Sequence, residues 1–333
     1  MKKILFAGLS LLLLHMGAMA QKSGYRLAGT FHIASSGGWD YIAVNKDRLY
    51  VSHGTQVNIL DRNTGDSVGV IPNTTGVHGI AFDNDLNRGY TSNGRLNNVT
   101  VFDLTTNAVI TQIPTGANPD AIFFDDYSKK VITCNGRSNN LSVIDPASNT
   151  VVDSIALSGK PETAVSDGAG KVFVNIENKN SISEIDMSGL KVINTWPIAP
   201  GESPSGLAID RSTKRLFAGC DNKMMVVLNA ETGAVVSTPA IGDGCDGTAF
   251  DPQLGFAYSS NGEGTLTVIR EVSSNQFEVL ENVPTKKGAR TVALDTQTHT
   301  VYLPTAEFQP AENGQRRPPM VPGSFQVLVV KHL

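Results

Sequence analysis

The sequence is dominated by an internal repeat of about forty residues. One copy runs from Pro119 to Lys160 and contains four short apolar segments, AIFF, KVITC, LSVID and VVDSIAL, which are separated by Gly, Asn, Pro and polar turns. Each segment has the length and the Val and Ile content of a β-strand. Four antiparallel strands in one such unit, repeated head to tail, are the sequence pattern of a β-propeller blade.

Seven copies of the innermost strand align at intervals of 38 to 44 residues. They begin at Trp39, Val77, Pro119, Pro161, Pro204, Cys245 and Ala289. The last copy has only three strands, whereas the segment Tyr25 to Ile33 precedes the first copy and has no blade of its own. We therefore predict an all-β, seven-bladed β-propeller with four-stranded antiparallel blades. In this fold the N-terminal strand closes the last blade and removes the open edge of the ring.

The first twenty residues have the composition of a secretory signal peptide. Two lysines precede an apolar run from Ile4 to Leu14, and Ala18-Met19-Ala20 fits a cleavage site. The run is short for a membrane span, and no Cys follows the cleavage site as a lipid anchor would require. We expect residues 1–20 to be removed and residues 21–333 to form one domain. The protein is then expected to be periplasmic or secreted, monomeric and without a membrane span.

The chain is mildly acidic, with 27 Lys and Arg against 31 Asp and Glu and a formal net charge of −4. This balance disfavours a broad nucleic-acid-binding surface. The sequence contains no GxSxG elbow, HExxH, P-loop, dinucleotide fingerprint or CxxC. No local motif therefore indicates an enzyme class.

Three cysteines lie in the predicted mature chain, Cys134, Cys220 and Cys245. Cys220 ends a second strand and Cys245 begins the first strand of the next blade, so both are expected at the same face of the ring. Since an exported protein meets an oxidising compartment, a disulfide between Cys220 and Cys245 is a candidate, and Cys134 would then stay free.

The strings GYTSNG, AYSSNG and VFVNIEN lie at the second strands of three copies, and the third strands end in Asp before a turn. In this pattern the chain resembles the YVTN β-propeller repeat family, the YncE-like group, over essentially all of residues 21–333, although the literal YVTN string is absent. The resemblance implies an exported seven-bladed propeller in a group without one common activity. Members and relatives are described as surface-layer or periplasmic binding proteins, and DNA binding has been attributed to at least one.

One position near the start of each of the seven inner strands is polar, and it projects into the mouth of the central channel of a propeller. The seven residues, which we call the channel-mouth ring, are Asp40, His78, Asp120, Glu162, Ser205, Asp246 and Arg290. Four carboxylates in a narrow ring predict a site for a cation or a positively charged ligand, and they should raise each other's pKa unless a cation is bound. The alternative is a water-filled channel in which Arg290 and His78 partly neutralise the carboxylates.

The same ring is a candidate site for a divalent ion. Oxygen ligands suit Ca²⁺ or Mg²⁺, and an imidazole would admit Zn²⁺ or Mn²⁺. The candidate metal ligands are Asp120, Glu162, Asp246 and His78.

A second set of polar side chains ends the second strands, at the same face. His53, Asn93, Asn135 and Asn261 are candidate ligand-binding residues there. The structural alternative is that Asn-Gly at 93–94 and 261–262 forms tight turns with positive φ, and that His53 is a turn residue before Gly54. The loop 305–323, which contains Arg316 and Arg317, should overhang this face as a lid, a partner contact or a mobile loop.

These observations favour a binding or interaction protein that holds its ligand at the channel mouth. The ligand is an unidentified small molecule, protein or cell-envelope polymer. The enzymatic alternative is a divalent-metal-dependent lactonase or hydrolase that uses the acidic ring, because some propeller lactonases hold a metal with acidic and amide side chains at the channel mouth. A DNA-binding propeller fits the acidic charge less well.

Overall fold

The computed structural model describes residues 23–35, 37–310 and 318–333. These residues form seven four-stranded antiparallel sheets, and the predicted seven-bladed propeller is confirmed. The one helical segment in these ranges is a 3₁₀ turn at Glu177–Lys179, and no helix there is long and apolar enough to cross a membrane. The predicted signal peptide, residues 1–20, and the pair Arg316 and Arg317 lie outside the described residues.

The chain forms 28 strands in the described ranges. It starts with β1 (Tyr25–His32) and continues with blade 1: β2 (Trp39–Asn45), β3 (Arg48–His53), β4 (Gln56–Asp61) and β5 (Ser67–Ile71). Blade 2 has β6 (Val77–Asp83), β7 (Arg88–Asn93), β8 (Asn98–Asp103) and β9 (Val109–Pro114). Blade 3 has β10 (Pro119–Asp125), β11 (Lys130–Asn135), β12 (Asn140–Asp145) and β13 (Thr150–Ala156). Blade 4 has β14 (Pro161–Ser166), β15 (Lys171–Ile176), β16 (Ser181–Asp186) and β17 (Lys191–Pro197).

Blade 5 has β18 (Pro204–Asp210), β19 (Arg215–Cys220), β20 (Met224–Asn229) and the short β21 (Val235–Ser237). Blade 6 has β22 (Cys245–Asp251), β23 (Phe256–Asn261), β24 (Thr265–Ser273) and β25 (Gln276–Pro284). Blade 7 has β26 (Ala293–Asp295), β27 (Thr300–Thr305) and β28 (Gln326–His332), and β1 is its fourth strand.

The ring closes as the incomplete ends of the repeat predict. Strand β1 pairs antiparallel with β28, with Tyr25 opposite His332 and Thr30 opposite Leu328. This pairing covers the outer edge of β28, so the terminal blade has its full four strands. The inner strand of blade 7 is shorter than predicted, because only Ala293–Asp295 forms a strand and Arg290 lies in the preceding segment.

The core is divided into seven hydrophobic clusters, one between each pair of neighbouring blades. Between blades 1 and 2, for example, Tyr50 and Ile59 pack with Phe102. Each buried aliphatic or aromatic side chain contributes about 1.5–3 kcal/mol relative to its exposed state. The cluster between blades 7 and 1, which contains Phe325 and Leu49, closes the circle.

The Asp residues that end the third strands are turn residues. The Asp103 carboxylate accepts backbone N–H groups from Thr105 at 2.9 Å and Thr106 at 2.7 Å, and Asn107 follows with a φ of +60°. Side chains of Asp and Asn stabilise such turns by accepting local N–H groups or by tolerating positive φ. This repeated feature of the sequence is therefore explained by the architecture and not by a site.

Candidate functional site

The backbone of the inner strands turns the ring side chains toward the channel. In blade 1, Trp39 pairs with His53 and Ile42 with Val51, so Asp40 and Tyr41 together face the single residue Ser52. Blades 2 to 5 have the same irregularity at the corresponding positions. Such bulges change the direction of a side chain and are frequent beside functional sites.

Polar side chains hold the backbone at these bulges. The Ser52 hydroxyl accepts the Asp40 N–H at 3.0 Å and donates to the Tyr41 carbonyl at 2.9 Å. Between blades, Ser92 donates to the Asp120 carbonyl, and Thr291 donates to the Asp40 carbonyl at 2.7 Å. The ring positions are thus fixed both within a blade and between neighbouring blades.

Asp40, His78 and Asp120 form one part of the ring. Nδ1 of His78 lies 2.5 Å from Oδ2 of Asp40 and 3.6 Å from Oδ1 of Asp120. Burial lowers the pKa of His78, but the hydrogen bond to Asp40 and the charges of Asp120 and Asp40 outweigh it and raise the pKa. The other side of the imidazole faces Gly94, where a Cβ atom would lie 2.6 Å from Nε2. Gly94 therefore leaves room for the histidine ring.

Arg290, Asp246 and Ser205 form a second part. Nε of Arg290 lies 3.0 Å from Oδ2 of Asp246, and its NH2 group lies 3.5 Å from Oδ1 of Asp40. The Ser205 hydroxyl donates to Oδ1 of Asp246 at 2.6 Å. Through Arg290 this part is continuous with Asp40 and His78.

Glu162 has a partner that the sequence analysis did not identify. Lys160 contacts both Glu162 and Glu177 through its ammonium group. Burial lowers the pKa of Lys160, but its bonds to the two glutamates outweigh this and raise it. The spacing Lys160-Pro161-Glu162 was the available signal, because residues two apart in an extended chain lie on the same side.

Asp120 has the weakest ion-pair contact among the ring carboxylates, and its charge acts on Glu162 in the next blade although Lys160 contacts Glu162. Burial, followed by the charge of Asp120, raises the pKa of Glu162. Burial also raises the pKa of Asp120, although His78 opposes this. In the described ranges the only ion-pair contact of the Asp120 carboxylate is the 3.6 Å approach of His78. The crowding predicted for the ring is therefore concentrated at these two adjacent blades.

Tyr41 extends across the channel next to the ring. The residues that follow the ring position in the other blades are small: Gly79, Ala121, Thr163, Gly206, Gly247 and Thr291. Tyr41 is the exception, and its ring packs against the hydrophobic cluster of blades 3 and 4 on the opposite side. Its hydroxyl oxygen lies 3.5 Å from Oγ1 of Thr163. The Tyr41 side chain therefore narrows the channel next to the ring.

The second set of polar residues does not join the ring, which corrects the hypothesis that Asn93, Asn135 and Asn261 bind a ligand there. All three side chains are fully buried. Nδ2 of Asn135, for example, donates to Asn140 at 2.9 Å and Ser142 at 2.9 Å, and Thr133 donates to Oδ1 of Asn135 at 3.1 Å. Asn93 and Asn261 make equivalent bonds inside their own blades.

His53 is also a structural residue. It is buried, stacks on Phe325 with ring centroids 3.9 Å apart, and places Nε2 2.7 Å from the Gly37 carbonyl. Its Nδ1 lies 2.5 Å from the Ser35 hydroxyl. Burial lowers its pKa, although the bond to Gly37 opposes this. Because a carbonyl can only accept, neutral His53 donates from Nε2 and holds the segment before β2 in place.

The candidate disulfide is not formed, and all three cysteines are free and buried. Cys220 packs in the cluster between blades 4 and 5, whereas Cys245 packs in the cluster between blades 5 and 6. The two thiols therefore lie on opposite faces of the blade 5 sheet. Burial raises the pKa of Cys220 to about 12 and that of Cys245 to about 11, so neither is a reactive thiolate at neutral pH.

The group of side chains that best fits a metal ion differs from the predicted set. Candidate ligand atoms of Asp40, His78 and Asp120 all lie within 4.8 Å of one another. Glu162 and Asp246 are instead engaged by Lys160 and Arg290. Two carboxylates and one imidazole are a donor set that Zn²⁺ or Mn²⁺ accepts.

The fold is shared with known propellers. A chain of Kuenenia stuttgartiensis hydrazine synthase is similar in structure, with a TM-score of 0.72 and 18% sequence identity, over 82% of this chain and 94% of that chain. At this identity the likeness shows the fold alone, and a propeller fold does not fix a function. No family model and no curated protein matches the sequence.

Proposed function

We propose that this protein is a YncE-like, exported binding protein that holds a cationic group of its ligand at the channel-mouth ring, between Asp120 and Glu162. The observation that carries the proposal is the Asp120 carboxylate, which is largely buried and has only the 3.6 Å ion-pair contact to His78 in the described structure. Glu162 lies on the adjacent blade, where burial, followed by the charge of Asp120, raises its pKa even though it contacts Lys160. A cation placed between the two carboxylates would remove their mutual repulsion and replace the protons that burial favours.

The shape of the channel supports the same location. Tyr41 extends across the channel next to the ring, which favours entry of a ligand from the face where the blades are joined. The side chains of Asp120 and His78 are 14% and 27% exposed, and a ligand from that side can therefore reach them. Binding of this kind needs no movement of the inner strands, whose backbone is fixed by Ser52, Ser92 and Thr291.

Thermal unfolding in the presence of cations tests the proposal. The probes are Ca²⁺, Mn²⁺, Zn²⁺ and the organic dication putrescine, each with and without EDTA. Because a ligand that binds only the folded state stabilises it, at least one probe should raise the Tm of the wild type. Asp120→Asn combined with Glu162→Gln should abolish this rise. The matched control replaces the exposed pair Asp126→Asn and Glu231→Gln and should keep it. No rise with any probe, or an equal rise in the double variant, would overturn the proposal.

A second candidate function is a divalent-metal-dependent hydrolase or lactonase, which the Asp40, His78 and Asp120 group favours. A divalent ion bound there would supply a Lewis acid. Metal binding there would require His78 to lose its proton, so that Nδ1 can act as a ligand atom, and the metal would have to displace the proton that burial favours on Asp120. Asp40 would then have to exchange its contacts with His78 and Arg290 for the metal.

The two candidates give different results with a metal probe. The hydrolase requires hydrolysis of a lactone or ester that EDTA abolishes and Zn²⁺ or Mn²⁺ restores. It also requires that Asp40→Asn removes metal binding, whereas the cation site between Asp120 and Glu162 should keep most of its affinity in that variant. Binding without turnover would leave the binding protein as the function.

A further inference from the structure

A separate pocket of about 540 Å³ opens beside the ring, on the face where the blades are joined. Trp39, Phe308, Pro318 and Met320 form its apolar part, and Lys287 and Arg290 are its charged lining residues. We propose that this pocket binds a small ligand that has a planar aromatic body and one anionic group. A volume of this size and an apolar lining with few charged groups are typical of small-molecule sites.

The apolar wall is built before a ligand arrives. The rings of Trp39 and Phe308 lie with centroids 6.0 Å apart at 45°, and Trp39 also packs on Phe325 at 5.4 Å. A β-bridge joins Phe308 to Met320, and Gln309 N–H donates to the Pro319 carbonyl at 2.8 Å. Two aromatic faces held at this separation suit stacking or edge contacts with a third ring.

The charged lining residues favour an anion. Lys287 is exposed and has no ion pair in the described structure. Nη2 of Arg290 donates to Asp40 at 3.5 Å and Nε lies within ion-pair distance of Asp246, whereas a guanidinium carries five N–H donors. The remaining donors of Arg290 and the Lys287 ammonium group are therefore available to one carboxylate, sulfonate or phosphate.

Five glycines line the pocket, and because they have no side chains a flat aromatic ring can approach the backbone there. They are Gly37, Gly38, Gly244, Gly262 and Gly288. A Cβ atom on Gly38 would meet no atom within 4 Å, and the φ of Gly38 is one that other residues adopt. At Gly288, in contrast, a Cβ atom would lie 2.8 Å from the Phe308 ring. Gly38 therefore offers a way to fill the pocket with little strain in the protein.

The pocket and the proposed cation site share no ligand-binding residue, since Asp120 and Glu162 do not line the pocket. The Asp120→Asn and Glu162→Gln double variant should consequently keep its affinity for the aromatic anion. The cation site can therefore fail its test while the aromatic-anion site passes, and the reverse also holds.

Isothermal titration calorimetry of the full chain with three matched probes tests the inference. The probes are 2-naphthoate, 2-naphthylmethanol and 2-naphthylmethylammonium, which share one aromatic body and differ in charge. We expect 2-naphthoate to bind at least threefold more tightly than the alcohol, and the ammonium compound to bind most weakly. Equal affinities, no binding of the naphthoate, or a preference for the ammonium compound would overturn the inference.

Substitutions then locate the binding. Gly38→Leu should reduce the affinity for 2-naphthoate at least tenfold, because its side chain occupies the pocket. Gly29→Leu is the matched control, since a Cβ atom at Gly29 on the outer strand β1 also meets nothing within 4 Å. Lys287→Gln should reduce the preference for the naphthoate over the alcohol severalfold, and the exposed Lys191→Gln should not. Unchanged naphthoate binding in Gly38→Leu would place the binding elsewhere and contradict the inference.

Discussion

The phenol oxygen of Tyr41 in blade 1 lies 3.5 Å from Oγ1 of Thr163 in blade 4, on the far side of the channel. One aromatic side chain therefore spans the axis of the ring and connects blades that are separated by 122 residues of sequence. Burial, followed by the charges of the ring carboxylates, raises the pKa of Tyr41 well above its usual value. The tyrosine stays protonated and neutral beneath the acidic ring.

Tyr41→Ala should lower the free energy of unfolding by about 2–4 kcal/mol, since it removes a large side chain and leaves a cavity in the channel. Urea unfolding measures this change. Tyr127→Ala is the control, because Tyr127 is 49% exposed and its loss should cost less than about 1 kcal/mol. Equal effects of the two substitutions would show that Tyr41 does not support the ring of blades.

The sequence reveals that small residues occupy one position of the inner strands. It does not reveal what Tyr41, the one large residue at that position, does in the fold. Alignment of the seven repeats shows that Tyr41 replaces Gly, Ala or Thr at its position. The direction in which its side chain extends depends on the width of the channel and on the bulge at Asp40, neither of which is a property of a local pattern. The number of blades, by contrast, follows from counting repeats and from the two incomplete ends.

Gly94→Ala should disturb the His78 site. The added Cβ atom would lie 2.6 Å from Nε2. Because Nδ1 on the other side already lies 2.5 Å from Asp40, the imidazole has to rotate out of its position. We expect a loss of about 1–3 kcal/mol in stability and a lower pKa of His78, because its hydrogen bond to Asp40 weakens. NMR titration of the histidine resonances reports the pKa. Gly29→Ala, which has open space at its Cβ position, should leave both quantities unchanged, and an unchanged His78 pKa in Gly94→Ala would contradict the geometry.

The backbone conformation at Gly94 and Gly262 differs from the one that the sequence predicts. Asn-Gly at 93–94 and 261–262 predicted turns with positive φ, but neither pair has positive φ, which occurs instead at Asn97 and Gly264. Gly94 is small because His78 needs the space. A neighbour from another part of the chain determines this residue, and local turn statistics cannot reveal such a neighbour.

Asn135→Ala should destabilise the protein by about 2–4 kcal/mol, because it removes a fully buried amide together with its hydrogen bonds to Asn140, Ser142 and Thr133. Ligand binding at the ring should be unaffected. Urea unfolding and the cation thermal-shift assay measure the two quantities. Asn63→Ala, at an exposed turn position, should change stability by less than about 0.5 kcal/mol. Loss of cation binding with intact stability would instead show that Asn135 contributes to ligand binding at the ring.

The sequence did contain a signal for the structural role of these asparagines. Each is preceded two residues earlier by Thr or Ser, as in Thr133 and Asn135, and the next strand carries partners at alternate positions, as in Asn140 and Ser142. Residues two apart share a face of a strand. The set therefore describes one hydrogen-bonded ladder inside a blade and not a ring around the channel.

The ring carboxyls should make stability fall as the pH rises from about 5 to about 9, whereas buried His53, whose pKa is lowered, acts in the opposite direction below about pH 6.5. The pKa of Asp120 is raised to about 6 and that of Glu162 to about 8, mainly by burial. Their favourable contribution is fully present below the unfolded pKa values, near 4, and is lost as the pH passes the folded values. His78, whose pKa is also raised, acts in the same direction above about pH 6.5.

The Asp120→Asn and Glu162→Gln double variant should lose less stability over that range than the wild type. Urea unfolding at several pH values provides the comparison. The Asp126→Asn and Glu231→Gln control should follow the wild type. An identical pH dependence of wild type and ring variant would show that the two carboxyls titrate normally.

Proton release on cation binding tests the central claim most directly. The cation that gives the largest thermal shift is titrated by calorimetry near pH 7 in two buffers of different ionisation enthalpy, and the difference in heat gives the number of protons released. If the cation displaces the protons held by Asp120 and Glu162, the wild type should release on the order of one proton per cation, and the double variant should show neither binding nor release. Binding without proton release, or equal release in the double variant, would contradict the claim that these two carboxylates form the site.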